Sequence, residues 1–388
     1  MLKRIMLLLI SICILSTCSG CWNNRDLSEL SILTALGLDR SEDGKVLVTA
    51  QIIKPSSIGL SASSGGSGGN SKKSFVILSD TEDTVFAAMR NMLSKASNKI
   101  FYSSSQIIVF GEALARSGLK DYVDFILRDH ETQYKTLVAV AKGTTARKIL
   151  EQEYDLSNLS GAFLRDTFLN TQHRAFAKKL ILLDMARELT TEGRQLSIGT
   201  VEAREKTTVA EGLSVFKKDK MIGWLNRYET RGYMYVTNKA KSTIIELKSP
   251  AQPNKKIGIE LIKFSSKITA NMVKKDKIEI NIKIKATGNI GEQQNIHNLP
   301  EYQLVDKLNK EFARSIEQEC VNTIYKCQKE YKSDIFGFGM HVFDAYPNYW
   351  TKVSNDWNDK IFPDLKVNFD ITAKINSTGL QTEPLIIR

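Results

Sequence analysis

Apolar residues recur every three or four positions between residues 304 and 331, and this stripe restricts the fold more than any other feature of the chain. Such spacing predicts one amphipathic α-helix of roughly thirty residues with its apolar face buried, entered through Pro300. The stripe consists of Leu304, Leu308, Phe312, Ile316, Cys320, Ile324, Cys327 and Tyr331.

Cys320 and Cys327 both lie on this stripe, and the geometry of the helix limits which bonds their thiols can form. Seven residues along a helix separate two Cα atoms by roughly 10.5 Å, which exceeds the limit of roughly 7 Å for a disulfide. No histidine lies one turn away, and this disfavours a metal site. We therefore expect two buried, reduced thiols.

The N-terminal part alternates between strand and helix patterns. Apolar residues around a turn at Asp43-Gly44 predict a β-hairpin with strands near 31–39 and 46–54. Asp80 is predicted to cap a helix. Strand, helix, strand and helix patterns follow at 106–110, 112–128, 136–141 and 144–152, and then a helical stretch at 160–192.

The C-terminal part is richer in strands. A hairpin is predicted at 211–225 around Lys217–Lys220, and residues 257–290 are strand-rich with a turn near 274–277. Residues 367–375 alternate between apolar and polar, which is typical of a half-buried strand. Together with the long helix, these patterns indicate an α+β class: a multidomain, mixed α/β protein of about three domains.

The first residues carry the pattern of an export signal. Lys3 and Arg4 precede an apolar run at 5–15, and the small residues 19–20 then lead directly into Cys21. The run is too short to span a bilayer, which takes about 20 residues. This is the arrangement that lipoprotein signals use to attach diacylglycerol to a thiol before cleavage.

We therefore expect Cys21 to be the acylated N-terminal residue of the mature chain, carrying palmitate or a similar fatty acid, with a plain secreted thiol as the alternative. Two acyl chains anchor a protein stably to a membrane, whereas one is marginal. Cys18 and Cys21 are formally a redox pair, but an apolar signal segment cannot supply the folded context that such a pair needs.

These patterns predict how the chain is divided into domains. Residues 1–20 are the signal peptide, and 21–195 form an N-terminal α/β region of two subdomains with a Ser/Gly-rich loop at 56–73. Residues 196–208 turn polar and are predicted to be a linker. Residues 209–388 are the C-terminal α+β domain.

Nothing in the sequence has the spacing of a catalytic site. There is no G-x-S-x-G, no HExxH and no phosphate-binding loop. The histidines are scattered without ligand spacing at His130, His173, His297 and His341. We expect no catalytic residue, no cofactor and no metal ligand.

The net charge and the aromatic residues suggest interaction surfaces rather than a catalytic site. The formal charge of +11 at pH 7 would usually suggest nucleic acid, but the export signal places the chain outside the cytoplasm. No nucleic acid is expected, and the basic surface would face anionic lipid or wall polymer. Aromatic residues gather at 334–362, where Trp350 and Trp357 indicate a core-facing helix or a partner-docking surface.

Segments along nearly the whole chain are similar to one family, the Ger(x)C-type spore germination lipoproteins, which are the C subunits of nutrient germinant receptors. The order and spacing of these segments carry the resemblance: GCWNNRDLSELSILTALGLDR, AQIIKPS, SSSQIIVFGEALARSGL, DFILRD, AVAKGTTARKILE, EGLSVFKKDKMIGWL, ETRGYMYVT, and DIFGFG followed by NYW.

The resemblance implies a lipidated, mixed α and β protein of three domains on the outer face of the spore inner membrane. Its partners would be an A subunit with a membrane domain and a B subunit resembling an amino-acid permease. Cys21 is the one functional residue that the resemblance carries over. The alternatives are a lipid-anchored solute-binding protein, which would show two similar α/β lobes, and a wall-active hydrolase.

Overall fold

A computed structural model gives the structure of the chain. It describes residues 2–6, 29–54, 74–154, 159–205, 207–250, 252–274, 277–294 and 302–377. The predictions made for Cys21, for the loop at 56–73, for Pro300 and for His297 lie outside these residues. The described part has a mixed α/β fold, which confirms the predicted fold class.

The first sheet begins with the predicted hairpin, which is confirmed. Strand β1 (Leu30–Arg40) pairs antiparallel with β2 (Val46–Ile53). Gly44 has a φ of +87° in the turn between them, a left-handed conformation that glycine adopts without steric cost.

Seven more strands complete this sheet in the described part of the chain: β3 (Phe75–Glu82), β4 (Lys99–Phe101), β5 (Ile107–Phe110), β6 (Leu137–Ala141), β7 (Ser197–Arg204), β8 (Thr207–Lys217) and β9 (Lys220–Leu225). Their order is β3-β2-β1-β5-β6-β7-β8-β9, with β4 beside β1. The central strands run parallel. β5 and β6 are buried throughout, as expected for parallel strands with both faces covered.

The helices associated with this sheet are α1 (Val85–Met92), α2 (Glu112–Ser117), α3 (Lys120–Arg128), α4 (Ala146–Glu151), α5 (Ser160–Asn170) and α6 (Leu182–Thr190). The predicted cap of α1 is wrong. Asp80 lies within β3, where it pairs with Val48, and the Thr84 hydroxyl caps the helix by accepting from the Ala87 N–H at 3.1 Å.

Two predicted helices are each broken in two. The stretch 112–128 is interrupted at Gly118, whose φ of +125° no helix accommodates. The stretch 160–192 is interrupted because the segment between α5 and α6 forms isolated bridges, Ala177 with Gly212 and Ile181 with Leu137. Contacts with distant strands therefore override helical periodicity there.

The stretch 196–208, predicted as a linker, contains β7 and the beginning of β8. Both strands pair inside the first sheet, and Ser197–Val201 are buried. The polar composition misleads here because buried threonine and serine side chains can be satisfied within a sheet, as Thr200 is by the Glu211 carbonyl. The division of the chain into domains stays a prediction.

The second sheet follows α7 (Arg227–Val236). Within the described residues its order is β10 (Ile244–Lys248), β11 (Lys256–Lys274), β12 (Lys277–Gln293) and β13 (Lys366–Ser377), with β13 parallel to β12. The strand-rich stretch at 257–290 and the alternating final strand are thereby confirmed. The predicted hairpin at 211–225 is confirmed by the antiparallel pairing of β8 with β9 in the first sheet.

The long helix α8 (Tyr302–Lys326) connects β12 to the C-terminal segment and ends in a wider π-helical turn at Cys327–Tyr331. Leu308, Phe312 and Ile316 are fully buried in the core that α8 shares with the second sheet. Cys320 and Cys327 are free and buried, as predicted. Helices α9 (Phe338–Ala345) and α10 (Pro347–Val353) follow before β13.

Candidate functional site: the cleft between the two halves

A cleft of about 720 Å³ lies where the N-terminal half meets the C-terminal aromatic segment. Val123 and Leu127 of α3 and Leu189 of α6 form its apolar wall on one side. Trp350 and Trp357 form the other side. We call this site the Trp350 cleft. A cavity of this size with apolar walls and a few convergent polar groups is the usual form of a binding site.

The aromatic wall depends on Asp334, which is fully buried. One carboxylate oxygen accepts from the backbone N–H groups of residues 336, 337 and 338 at 3.2, 2.9 and 3.1 Å. The other oxygen accepts from the Gly339 N–H at 2.8 Å and from the Trp357 indole N–H at 2.9 Å. A single side chain therefore fixes both the turn before α9 and the orientation of Trp357.

The segment 192–195 brings the N-terminal half against this turn. The Met340 N–H donates to the Gly193 carbonyl at 3.1 Å, and the Gln195 N–H donates to the Asp334 carbonyl at 2.8 Å. Gly193 has a φ of +73°, and a Cβ there would lie 2.3 Å from the backbone of Gly339. Glycine is therefore required at position 193, because the two backbones touch.

Trp350 and Trp357 are both buried, as the core-facing interpretation predicted, with ring centroids 5.3 Å apart. They do not share one helix. α10 ends at Val353, and Trp357 begins a separate π-helical turn. The Trp350 indole N–H donates to the Glu192 carboxylate at 3.0 Å, so this ring also connects the two halves.

A buried charge cluster lies behind the cleft. The Lys178 ammonium, fully buried, donates to both carboxylate oxygens of Glu188 at 2.7 and 2.6 Å and to the Ser197 carbonyl at 2.7 Å. Arg194 and Lys239 approach the same carboxylate at 3.6 and 3.8 Å. Burial alone would raise the pKa of Glu188, but these positive charges lower it on balance.

Tyr233 brings α7 into this cluster. Its ring lies 5.7 Å from the Lys178 nitrogen, and its hydroxyl accepts from the Ser197 hydroxyl at 3.3 Å. Burial alone would raise the pKa of the Tyr233 hydroxyl, but the charges of Lys178 and Lys239 outweigh burial and lower that pKa to about 7.

This shift predicts an unusual titration. Because the folded-state pKa of Tyr233, about 7, lies below the ordinary value of 10.0, its stabilising contribution should grow as pH rises above 7 and be lost as pH falls through 7. Phenolate absorbance should rise by one tyrosine between about pH 6 and 8. Tyr233→Phe should abolish that step.

Tyr235→Phe is the matched control, since burial raises the pKa of Tyr235 well above its ordinary value. A titration step that survives in Tyr233→Phe would contradict the assignment.

Two family models match the chain in succession. The model described as "Spore germination protein N-terminal domain" matches residues 23–203, and the model described as "Spore germination B3/ GerAC like, C-terminal" matches residues 211–379. The chain belongs to the GerAC family of spore germination proteins.

Curated relatives of this GerAC-family chain align over nearly its whole length. Spore germination protein KC of Bacillus subtilis (strain 168) is 24% identical over 98% of this chain and 96% of its own length. Spore germination protein B3 of the same organism is 24% identical over 93% of this chain and 94% of its own length. The "Crystal Structure of the GerBC protein" has the same fold, with a TM-score of 0.59 and 18% identity over 88% of this chain and 96% of that chain.

The other residues singled out in the sequence lie apart from the cleft of this GerAC-family protein. His130 is exposed, and His341 is half-buried on α9. His173 lies on a different surface, beside Arg174. Within the described residues no group of three or more His, Cys, Asp or Glu side chains could hold a metal ion. In that same part of the chain, no helix combines the length and apolarity needed to cross a membrane.

Sequence reasoning missed the charge cluster and Asp334. One signal was available for Glu188, which follows Leu182 and Met185 at helical spacing and so falls on the buried face of α6. A carboxylate at such a position needs a buried cation as its partner. For Lys178 and Arg194 the local sequence carries no comparable signal.

Proposed function

We propose that this chain is the lipid-anchored, non-enzymatic C subunit of a nutrient germinant receptor and is required for spores to germinate in response to nutrients. Its place is the outer face of the spore inner membrane, beside the A and B membrane subunits. The observation that carries the proposal is the succession of both family models along residues 23–203 and 211–379. Relatives aligned from end to end are named spore germination proteins.

The structure favours this function over a solute-binding protein. Such a protein would have two similar α/β lobes, whereas the two sheets here differ in kind. The first has parallel central strands, and the second is antiparallel except for the pair of β12 and β13. The contacts at Asp334 and Gly193 instead join the halves firmly, as suits a subunit that presents a fixed surface to partners.

A wall-active hydrolase is the remaining alternative. Incubating the purified chain with peptidoglycan distinguishes the two functions. Release of soluble fragments would favour the hydrolase, and co-purification with an A and a B subunit from spore membranes would favour the receptor.

The anchor is tested at Cys21. In cells fed a clickable fatty acid, the wild-type chain should become labelled, and Cys21→Ala should not, because the thiol is the attachment point. Cys21→Ala should also impair germination, since the tether raises the local concentration of the chain near its membrane partners. Cys18→Leu is the matched control and should remain labelled. An unlabelled wild-type chain would disprove the lipid anchor.

A further inference from the structure

Three arginine side chains surround one aromatic ring at a second cavity. The guanidinium carbons of Arg174, Arg227 and Arg231 lie 5.2, 5.7 and 5.5 Å from the ring centroid of Phe176. The ring of Tyr228, 48% exposed, packs edge-on against Phe176 with centroids 6.0 Å apart. These five residues line a cavity of about 490 Å³. We call this site the arginine pocket.

Arg231 is the fixed member of the pocket. Its Nε donates to the Glu319 carboxylate at 2.7 Å, and its Nη1 donates to the Ile244 carbonyl at 2.8 Å. Because these donors already have acceptors within the protein, Arg231 contributes positive charge and a rigid planar group to the pocket rather than a hydrogen bond to a ligand. Its guanidinium carbon also lies 5.3 Å from the Tyr228 ring centroid, which holds that ring in place.

Glu246 and Glu319 also line the cavity, and each has a basic partner: Glu319 pairs with Arg231, and Glu246 with Lys256. Glu211 pairs with Arg174 and Arg204. Arg227 has no carboxylate partner among the described residues. Its Nη2 donates to the Tyr228 hydroxyl at 3.1 Å, and its guanidinium stacks 4.8 Å from the same ring. Positive charge therefore exceeds negative charge around the cavity.

Arg174 and Arg231 are already paired with carboxylates, so Arg227 carries the uncompensated positive charge. That charge would attract an anion placed in the cavity. A phosphate group suits the site better than a planar carboxylate. It carries more negative charge, and its oxygens point in several directions, so that more than one guanidinium can donate to it.

We propose that the arginine pocket binds a phosphate group, with Arg227 as the main anchor and Arg174 beside it. The group is either part of a free phosphate-bearing molecule or the headgroup of an anionic lipid. The site does not depend on the receptor role proposed above.

Calorimetric titration of the full chain with inorganic phosphate, at constant ionic strength set with chloride, tests the site. The wild type should bind, and Arg227→Gln and Arg174→Gln should each weaken binding by about tenfold or more, because each removes a charge-assisted hydrogen bond. Arg128→Gln is the matched control. Arg128 is an exposed arginine on α3 that pairs with Asp124 and does not line the pocket, and its replacement should leave phosphate binding unchanged.

Phosphatidylglycerol vesicles identify the source of the phosphate. Competition between vesicles and inorganic phosphate would assign a lipid headgroup, and phosphate binding without competition would assign a free ligand; both results support the pocket. A wild-type chain that does not bind phosphate would overturn the proposal. So would full binding by Arg227→Gln and Arg174→Gln, with thermal melts confirming that both variants are folded.

Discussion

Replacing Asp334 with alanine should lower the free energy of unfolding by about 4–5 kcal/mol. The substitution removes the shared acceptor of four backbone N–H groups and the Trp357 indole. Those donors are buried with Asp334, so water cannot easily replace the lost carboxylate. The loss should be measured by urea unfolding of the purified chain, followed by circular dichroism.

Asp334→Asn should have an intermediate effect. The asparagine amide keeps one oxygen, which can accept from one of the two sets of donors. Its NH₂ group then faces the other set, and two donors cannot form a hydrogen bond with each other. Asp344→Ala is the matched control, because Asp344 lies on the same segment and is exposed. The control should change stability by less than about 0.5 kcal/mol. Equal unfolding curves for Asp334→Ala and Asp344→Ala would contradict the role assigned to Asp334.

Replacing Glu188 with methionine should destabilise the fold by about 3–5 kcal/mol, because it leaves the Lys178 ammonium buried without its counterion. Lys178 is fully buried, and Glu188 is its acidic partner at 2.6 Å. Lys178→Met should have a smaller effect, because Arg194 and Lys239 still lie 3.6 and 3.8 Å from the Glu188 carboxylate. The double variant removes both charges of the pair. Its loss of unfolding free energy should therefore be smaller than the sum of the losses in the two single variants.

A double-mutant cycle by urea unfolding measures this coupling, which we expect to be about 2 kcal/mol or more. The matched control is Asp184→Ala on the same helix. Asp184 forms an exposed pair with Arg187 at 3.2 Å, and such pairs contribute less than about 1 kcal/mol. Additive losses at Lys178 and Glu188 would show that the pair is not coupled.

Both sites lie close to the contact between the N-terminal and C-terminal halves. Asp334 holds the C-terminal turn that touches Gly193, and the Lys178 cluster holds the strand and helix that flank residues 192–195. Disruption of either site should therefore loosen the connection between the N-terminal and C-terminal halves.

The elements with a local signal could be predicted from the sequence. The turn at Asp43-Gly44 and the stripe that became α8 were both predicted correctly. Each depends on a periodic pattern or a turn chemistry that is complete within a short segment. The buried state of Cys320 and Cys327 followed from the same stripe. The family was also recognisable, because its segments keep their order along the chain.

The burial of individual charged residues, in contrast, depends on contacts that form only in the folded chain. Lys178 and Lys179 are neighbours of identical chemistry, yet Lys178 is fully buried and Lys179 is exposed. The difference arises because Glu188 and Ser197, which follow in the chain, surround only the first lysine with acceptors. A buried charge is stable only where such distant partners meet. The local sequence around Lys178 does not reveal these partners, because strands and helices that are distant in the chain come into contact only on folding.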